Sequence, residues 1–505
     1  MRSASVFRRI QEILGDKIPM PNSITTATRR ELLLLSLFCA LIFFRNFSLV
    51  ISGFGEQDAV RIFNDAIVWH HVGALPFSGY RDRIIPGYLF LTKGLIDFGV
   101  STDNIIRLLN YLNAFVGVLA VFLSHFFFKL FLPASLSIAC VAIYSFVPSV
   151  FFSSIYGFPH LLAFTAFLIS ILLFVRSTII APSVSVRFWV FAVIALSLAT
   201  ILKADVILLS SAYFGLLLAF SRVSTATLTS AFTLILFGII APITFKHFFF
   251  PSDAVDVSTA AFLHRWNERF SLSLGNLVSK GNVEITIWSV GRIYFCLSVL
   301  GLIAASLRHE SRRFVWFILI FTIPLTLFWG MRAGNSARHM MGLALPAILL
   351  IGILFQSLIA QRQTSSAVIA VITGLVIMMN YFSTSPHSGT IAPSSRLVES
   401  ALLLQKRTTK EMKYGKALIE SRQRKHYLID SYTLPYSLHN VLRYSRSIDE
   451  WLAGSKEGFL GITLLDGRQI SLAWSYTKTR EAAEQLAEQK RTAGFTIWSA
   501  QYPGL

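Results

Sequence analysis

Between the first two long apolar runs of the chain stand Glu56, Asp58, Arg81 and Arg83, and between later runs stand Lys203 with Asp205 and then Arg332, Arg338 and His339. A carboxylate in such a place can take a proton from a hydroxyl, and lysine or arginine nearby can hold an oxyanion such as a phosphate, arginine through two parallel hydrogen bonds. Their neighbours are apolar segments of membrane length, beside which an ionisable group is costly unless it is paired or wet. Charges kept there point to a working site before a structural one.

Each residue also has a plainer reading. Asp58 stands where it can cap a helix expected over 58–71. Glu56 shares a proton or a divalent metal with Asp58 only if the segment is extended or tightly turned, and is otherwise an exposed loop acid. Arg81 and Arg83 flank Asp82, so an ion pair or a lipid headgroup competes with phosphate as their partner. Lys203 contacts an anion or pairs with Asp205, and Arg332 and Arg338 bind phosphate or anchor the interface.

The elements that position these residues are membrane spans. Hydrophobic residues make up 54% of the 505 residues and charged ones 14%, and the mean hydropathy of +0.62 lies outside the range of a soluble domain. The apolar residues come in blocks of about 20, enough for a helix to cross a hydrocarbon layer of roughly 30 Å. A β-barrel is excluded, because barrels alternate polar and apolar residues in short strands. The net charge of +19 is dispersed over loops and ends without a nucleic-acid-binding motif, so membrane topology and anionic lipid account for it and nucleic acid is not an expected partner. Cys39, Cys140 and Cys296 lie inside apolar runs without CxxC spacing, which leaves them as core residues.

Spans are expected over 31–51, 105–124, 133–152, 159–176, 188–202, 205–221, 226–246, 285–306, 313–330, 340–358 and 366–383. With the amino end inside, Arg8, Arg9, Lys17, Arg29, Arg30, Lys129, Arg176, Arg187, Arg222, Arg308, Arg312, Arg313 and Arg362 collect on the cytoplasmic side, as the positive-inside rule favours. The odd number of spans then puts the carboxyl end outside. Residues 1–30 form a cytoplasmic arm, not a cleaved signal, in which Val6, Phe7, Ile10, Ile13 and Leu14 have the spacing of an interfacial helix, although a loosely ordered leader is the alternative. Residues 31–384 form the membrane module, with long outer loops over 52–104 and 247–284. In the second, Phe262, Trp266 and Phe270 fit a helix lying in the interface plane.

From about residue 385 the composition changes: the last 121 residues carry 17 Lys and Arg and 11 Asp and Glu, which marks a water-facing domain over 385–505. Segments 425–434, 458–465 and 494–499 read as strands and 482–490 as a helix. The fold class expected is therefore an α-helical polytopic membrane protein of about eleven spans with a small C-terminal extracytoplasmic α/β or α+β domain.

Particular patches resemble a known superfamily. Gly55-Glu56-Gln57-Asp58-Ala59 after the first span, Leu75-Pro76, Pro86-Gly87-Tyr88 and Ile105-Ile106-Arg107-Leu108-Leu109-Asn110 occur in the order found in the GT-C integral membrane glycosyltransferases. Ile201-Leu202-Lys203-Ala204-Asp205 is similar to the Leu-Thr-Lys-Gly element of the branch holding protein mannosyltransferases, aminoarabinose transferases and bacterial lipopolysaccharide-core transferases. Arg338-His339-Met340 followed by Leu343-Ala344-Leu345-Pro346 is similar to that branch's Arg-to-Pro element. The chain departs from the pattern in Lys-Ala-Asp where Lys-Gly is common and in lacking the Asp-Glu pair of the mannosyltransferases.

The resemblance implies transfer of a hexose or pentose, with inversion, from a polyprenyl-phosphate donor to a glycan, lipid or protein acceptor on the outer face, in a bacterial inner membrane. It implies Asp58 as the first-loop aspartate that acts as general base, beside Glu56, and Arg81, Arg83, Lys203, Arg332 and Arg338 as candidate ligands of the donor phosphate. Tyr156 and His160, in the turn over 154–160, together with Asp205, His339 and Trp266, are the candidates to meet the sugar. The resemblance fixes no cofactor, and a divalent metal is compatible with this chemistry. An O-antigen-type polymerase or ligase and a lipid-linked glycan flippase remain as alternatives. The first centres on a late loop, and the second calls for polar or broken spans and internal symmetry.

Overall fold

The computed structural model describes residues 28–52, 85–181, 183–250, 274–307, 312–331, 337–359, 366–383, 397–399, 401–402, 404–406, 426–430, 442–444, 457–464 and 469–475, and positions 59, 62, 63, 66, 69 and 70. The expected amino-terminal interfacial helix, the interface helix with Trp266, the strand over 494–499 and the helix over 482–490 lie outside these residues.

Helix α1 (Arg29–Leu49) begins where the Thr28 side chain accepts from the Glu31 amide at 3.2 Å. It leaves Leu33, Leu37, Leu41 and Phe44 exposed along one stripe while Leu35, Ile42 and Asn46 are buried. Such a stripe is a liability against water and ordinary against lipid tails. After α1 come α2 (Pro86–Asp97), α3 (Thr102–Lys129), α4 (Ala134–Ser145), α5 (Pro148–Ser153), α6 (Pro159–Phe174, continued by a π-helical turn, Val175–Ile180), α7 (Val186–Leu202), a 3₁₀ segment (Ala204–Ser210), α8 (Ser211–Ala219) and α9 (Thr225–Phe249). Then follow α10 (Lys280–Val290), α11 (Arg292–Leu307), α12 (Arg312–Gly330), a second 3₁₀ segment (Ala337–Leu343), α13 (Ala344–Ile359) and α14 (Ser366–Ser383).

Each expected span falls on an apolar helix or a pair of helices. Among the described residues six stretches are long and apolar enough to cross a membrane: Arg29–Leu49, Asn104–Lys129, Pro159–Ile180, Thr225–Phe249, Arg313–Gly330 and Arg338–Ile359. Ala134–Ser145, Val186–Leu202, Ala204–Ala219 and Ala367–Phe382 are apolar but shorter. The run expected as one straight span over 285–306 is instead two helices, α10 and α11, that meet at 90°. Gly291 makes the corner with φ 104°, a region closed to most side chains, and a Cβ there would stand 2.5 Å from the Asn380 Oδ1. The same oxygen accepts from the Ile293 amide at 3.3 Å and so serves a free donor at the start of α11.

The membrane core is aromatic and tightly meshed. Phe127, Phe131, Phe317, Phe321 and Tyr213 pack between α3, α8 and α12, with Phe131 stacked on Phe317 at 5.1 Å. A second core lies around the first outer loop. Residues 59, 62, 63, 66, 69 and 70 are helical, and Ala59, Ile62, Phe63, Ala66 and Trp69 are buried at helical spacing, in accord with the helix expected there. Leu397, Ala401 and Leu404, from helical turns after α14, belong to that core, and the Gln405 amide donates to the carbonyl of Val50 at 2.8 Å.

Four strands, β1 (His426–Asp430), β2 (Leu442–Tyr444), β3 (Glu457–Leu464) and β4 (Gln469–Ser475), form a sheet in the order β1-β4-β3-β2. β1 pairs parallel with β4, and the other two pairings are antiparallel. β1 and β3 fall on the strands expected over 425–434 and 458–465.

Candidate active site

Two amides on one face of α3 build the first wall of the site. Asn113, three residues after Asn110 and so on the same side of the helix, donates through Nδ2 to the carbonyls of Tyr156 at 2.8 Å, Phe158 at 2.8 Å and Ser153 at 3.3 Å. Asn110 accepts from the Gly157 amide and donates to the carbonyl of Ile51 at 2.8 Å. Gly157 is required by close approach, since a Cβ there would lie 2.8 Å from the Leu109 Cβ and 3.0 Å from the Asn110 Oδ1. The turn over 154–160 is thereby clamped between α3 and the end of the first span. Ala59, the neighbour of Asp58 in sequence, lines a recess there with Tyr88, Asn110 and Gly157. Burial pushes the Tyr156 phenol above its ordinary range, against a smaller opposing effect of its hydrogen bond with Ser153, so it stays a neutral hydroxyl.

His160 follows Pro159 at the start of α6 and turns into the protein, where it is 5% exposed. Its ring stacks on Phe158 at 4.7 Å, and its Nε2 lies 3.3 Å from the His339 Nδ1. His339, on the 3₁₀ segment Ala337–Leu343, stacks on Trp329 at 3.7 Å, and its Nδ1 is 3.8 Å from the Asp205 Oδ2. Lys203 ends α7 in an extended conformation, which turns its ammonium inward to donate directly to the Asp205 carboxylate and to stand 5.5 Å from the Trp329 ring. The Arg338 guanidinium lies 4.8 Å from the Phe158 ring.

His160, Lys203, Asp205, Arg338 and His339 line a partly open recess whose innermost part, about 20 Å³, has room for one water. The Asp205 Oδ1 and the His160 Nδ1 are buried without a hydrogen-bond partner. A donor group entering the cavity would satisfy the first of these, and the cations beside it suit an oxyanion. Among the described residues no group of three His, Cys, Asp or Glu is arranged to hold a metal ion.

Of the residues picked from sequence, His160, Lys203, Asp205, Arg338 and His339 meet in this one place, and Tyr156 is buried in the adjoining turn. Asp58, Glu56, Arg81, Arg83, Arg332 and Trp266 lie outside the described residues. Sequence reading missed Trp329, Phe158 and Asn113. For Asn113 the signal was two amides, three apart, on an otherwise apolar helix face.

The helical bundle shares its fold with a solved structure of low sequence identity. Specifically, it is similar to the crystal structure of ArnT from Cupriavidus metallidurans bound to undecaprenyl phosphate, with a TM-score of 0.52 and 12% identity over 81% of this chain and 85% of that one. ArnT in the apo state matches with a TM-score of 0.49 and 11% identity over 80% and 84% of the two chains. The Archaeoglobus fulgidus oligosaccharyltransferase tethered with an acceptor peptide matches with a TM-score of 0.46 and 12% identity over 81% and 63%. No family model and no curated protein matches the sequence.

Proposed function

We propose that the chain is a membrane glycosyltransferase that takes a sugar from a polyprenyl-phosphate-linked donor and passes it to a glycan, lipid or protein at the outer face. The observation that carries this reading is the meeting of the Lys203–Asp205 pair with Arg338, which is distant from it in sequence, around one recess beside the turn that holds the end of the first span. The fold shared with ArnT, which was solved with undecaprenyl phosphate, supports a lipid-phosphate donor.

In this reading Lys203 and Arg338 stabilise the departing phosphate, where negative charge grows in the transition state and burial strengthens each contact. Arg81, Arg83 and Arg332 extend the phosphate site. Asp58, with Glu56 near it, takes the acceptor proton as the hydroxyl attacks the anomeric carbon from the face opposite the phosphate, which inverts that centre. His160, His339, Asp205, Tyr156 and Trp266 bind the sugar or acceptor, and a divalent metal at Glu56 and Asp58 is compatible with the scheme.

Counting the shorter apolar helices and the α10–α11 pair as spans gives about eleven, with the amino end cytoplasmic and residues 385–505 forming an extracytoplasmic domain. A bacterial inner membrane is the setting that fits the resemblance. Mass spectrometry of envelope glycans and lipid-linked sugars from cells lacking the protein tests the whole reading. One sugar should disappear while its polyprenyl-phosphate donor persists, and only the native chain, not Asp58→Asn, should restore it. Full restoration by Asp58→Asn removes that residue from the mechanism, and unchanged glycans would instead favour transport.

A further inference from the structure

We infer that Asp205 sorts phosphate ligands by charge: it lets the recess hold a phosphodiester and disfavours a phosphate monoester. The inference rests on the proposed phosphate site and adds a preference within it. A sugar-loaded carrier is a diester with a single negative charge. Once the sugar has left, the carrier is a monoester whose second ionisation lies at about pH 6, so near neutrality it carries close to two.

The geometry behind this is local. One carboxylate oxygen of Asp205 contacts the Lys203 ammonium, while the other is buried, has no hydrogen-bond partner and borders the recess. Lys203 is 3% exposed, so bulk water does little to dampen what its neighbours feel. Around Asp205, α6 brings His160, the 3₁₀ segment Ala337–Leu343 brings Arg338 and His339, and α12 brings Leu325 and Trp329. The described charged residues lining the recess are thus two cations and one carboxylate, a set that matches a monoanion. A phosphate held by Lys203 comes within a few ångströms of Asp205, where a second phosphate charge is repelled and an ester oxygen is not.

A purely structural role predicts something else. Asp205 would then only neutralise Lys203, and its loss would weaken every phosphate ligand alike. The discriminating probes are farnesyl phosphate and its methyl ester, which differ by one ionisable oxygen, titrated at pH 8 into the full-length protein in lipid nanodiscs. The native protein should bind the ester at least as tightly as the monoester. Asp205→Asn, which keeps size and an acceptor for Lys203, should tighten monoester binding about tenfold relative to the ester, and Asp205→Glu should keep the native order.

An unchanged ratio in Asp205→Asn, or an equal loss for both probes, overturns the inference. So does a tenfold native preference for the monoester, a result that needs no variant to fold. Lys203→Ala separates the two levels of the argument. If that variant binds both probes as the native protein does, the phosphate site itself is wrong; if it binds neither while Asp205→Asn leaves the ratio unchanged, only the sorting role fails.

Discussion

Two buried lysine–carboxylate pairs stand at opposite ends of the helical bundle, and they differ in what they join. Lys129 meets Glu31 at 2.7 Å across 98 residues of sequence and ties the end of α3 to the start of α1. Lys203 meets Asp205 within a single junction, two residues apart, and the pair reaches other elements only through His339 and Trp329 beside it. Both pairs are well buried, with side chains 6% and 16% exposed in the first and 4% and 12% in the second. Desolvating two charges costs several kcal/mol per ion, which the first pair offsets in part by fastening a helix whose outer face meets lipid. The second pair spans too little sequence to fasten one helix to another by itself. Its carboxylate keeps one oxygen without a partner and borders a cavity shared with two histidines and an arginine. In the proposed function the first pair is a brace and the second belongs to the site.

The largest effect that would break this comparison is on activity. Lys203→Ala should lower transfer from a lipid-linked donor about 100-fold or more per folded molecule in proteoliposomes, beyond the stability it loses by stranding the Asp205 carboxylate. If the variant melts early and the folded fraction transfers normally, Lys203 is a second brace. Lys129→Met likewise strands a carboxylate, Glu31, and should cost about 3 kcal/mol of stability, but with transfer per folded molecule unchanged. A loss of transfer without a loss of stability would put that pair in the mechanism.

Asn113→Leu sharpens the comparison by moving the turn instead of the charges. Three buried carbonyls lose their donor, a loss of about 2 kcal/mol, and transfer should fall as well because His160 follows that turn. The smallest effect belongs to Asp97, at the end of α2. Burial alone would raise its pKa, but hydrogen bonds from Lys93 at 2.5 Å and His70 at 2.7 Å outweigh it and hold the carboxyl below its ordinary range. A lowered native pKa stabilises the fold above the unfolded value of about 4 and loses that contribution as pH falls through the lower one. For a side chain 41% exposed, screening leaves a few tenths of a kcal/mol. Thermal melts of native protein and Asp97→Asn should therefore differ slightly at pH 7 and converge at pH 3.

The helical framework was legible because membrane spans are written in long apolar runs, and a run such as Val186–Leu202 is visible without any knowledge of its neighbours. The corner at Gly291 was not, since hydropathy is blind to backbone angle and α10 and α11 read as one continuous run. At the site, residue types were readable and their partnership was not. Lys203 and Asp205 advertise a pair by proximity, but nothing in the sequence brings His339 to His160, which lies 179 residues away. Trp329 stayed hidden for the opposite reason: at the end of an apolar helix it looks like one more lipid anchor, and only its stacking on His339 sets it apart. β4 was passed over although Ile470, Leu472 and Trp474 alternate through it, because the segment is short and framed by polar residues.

The Gln405 amide on the Val50 carbonyl has a mechanical meaning. It fastens the chain just beyond the last apolar helix to the residue that ends α1, across 355 positions, so the start and finish of the helical module are latched to each other. Asp58 lies eight positions past Val50. The latch is a packed seam as well as a hydrogen bond, because Leu397, Ala401 and Leu404 share one core with Ala59 and Ile62, the nearest described residues after Asp58.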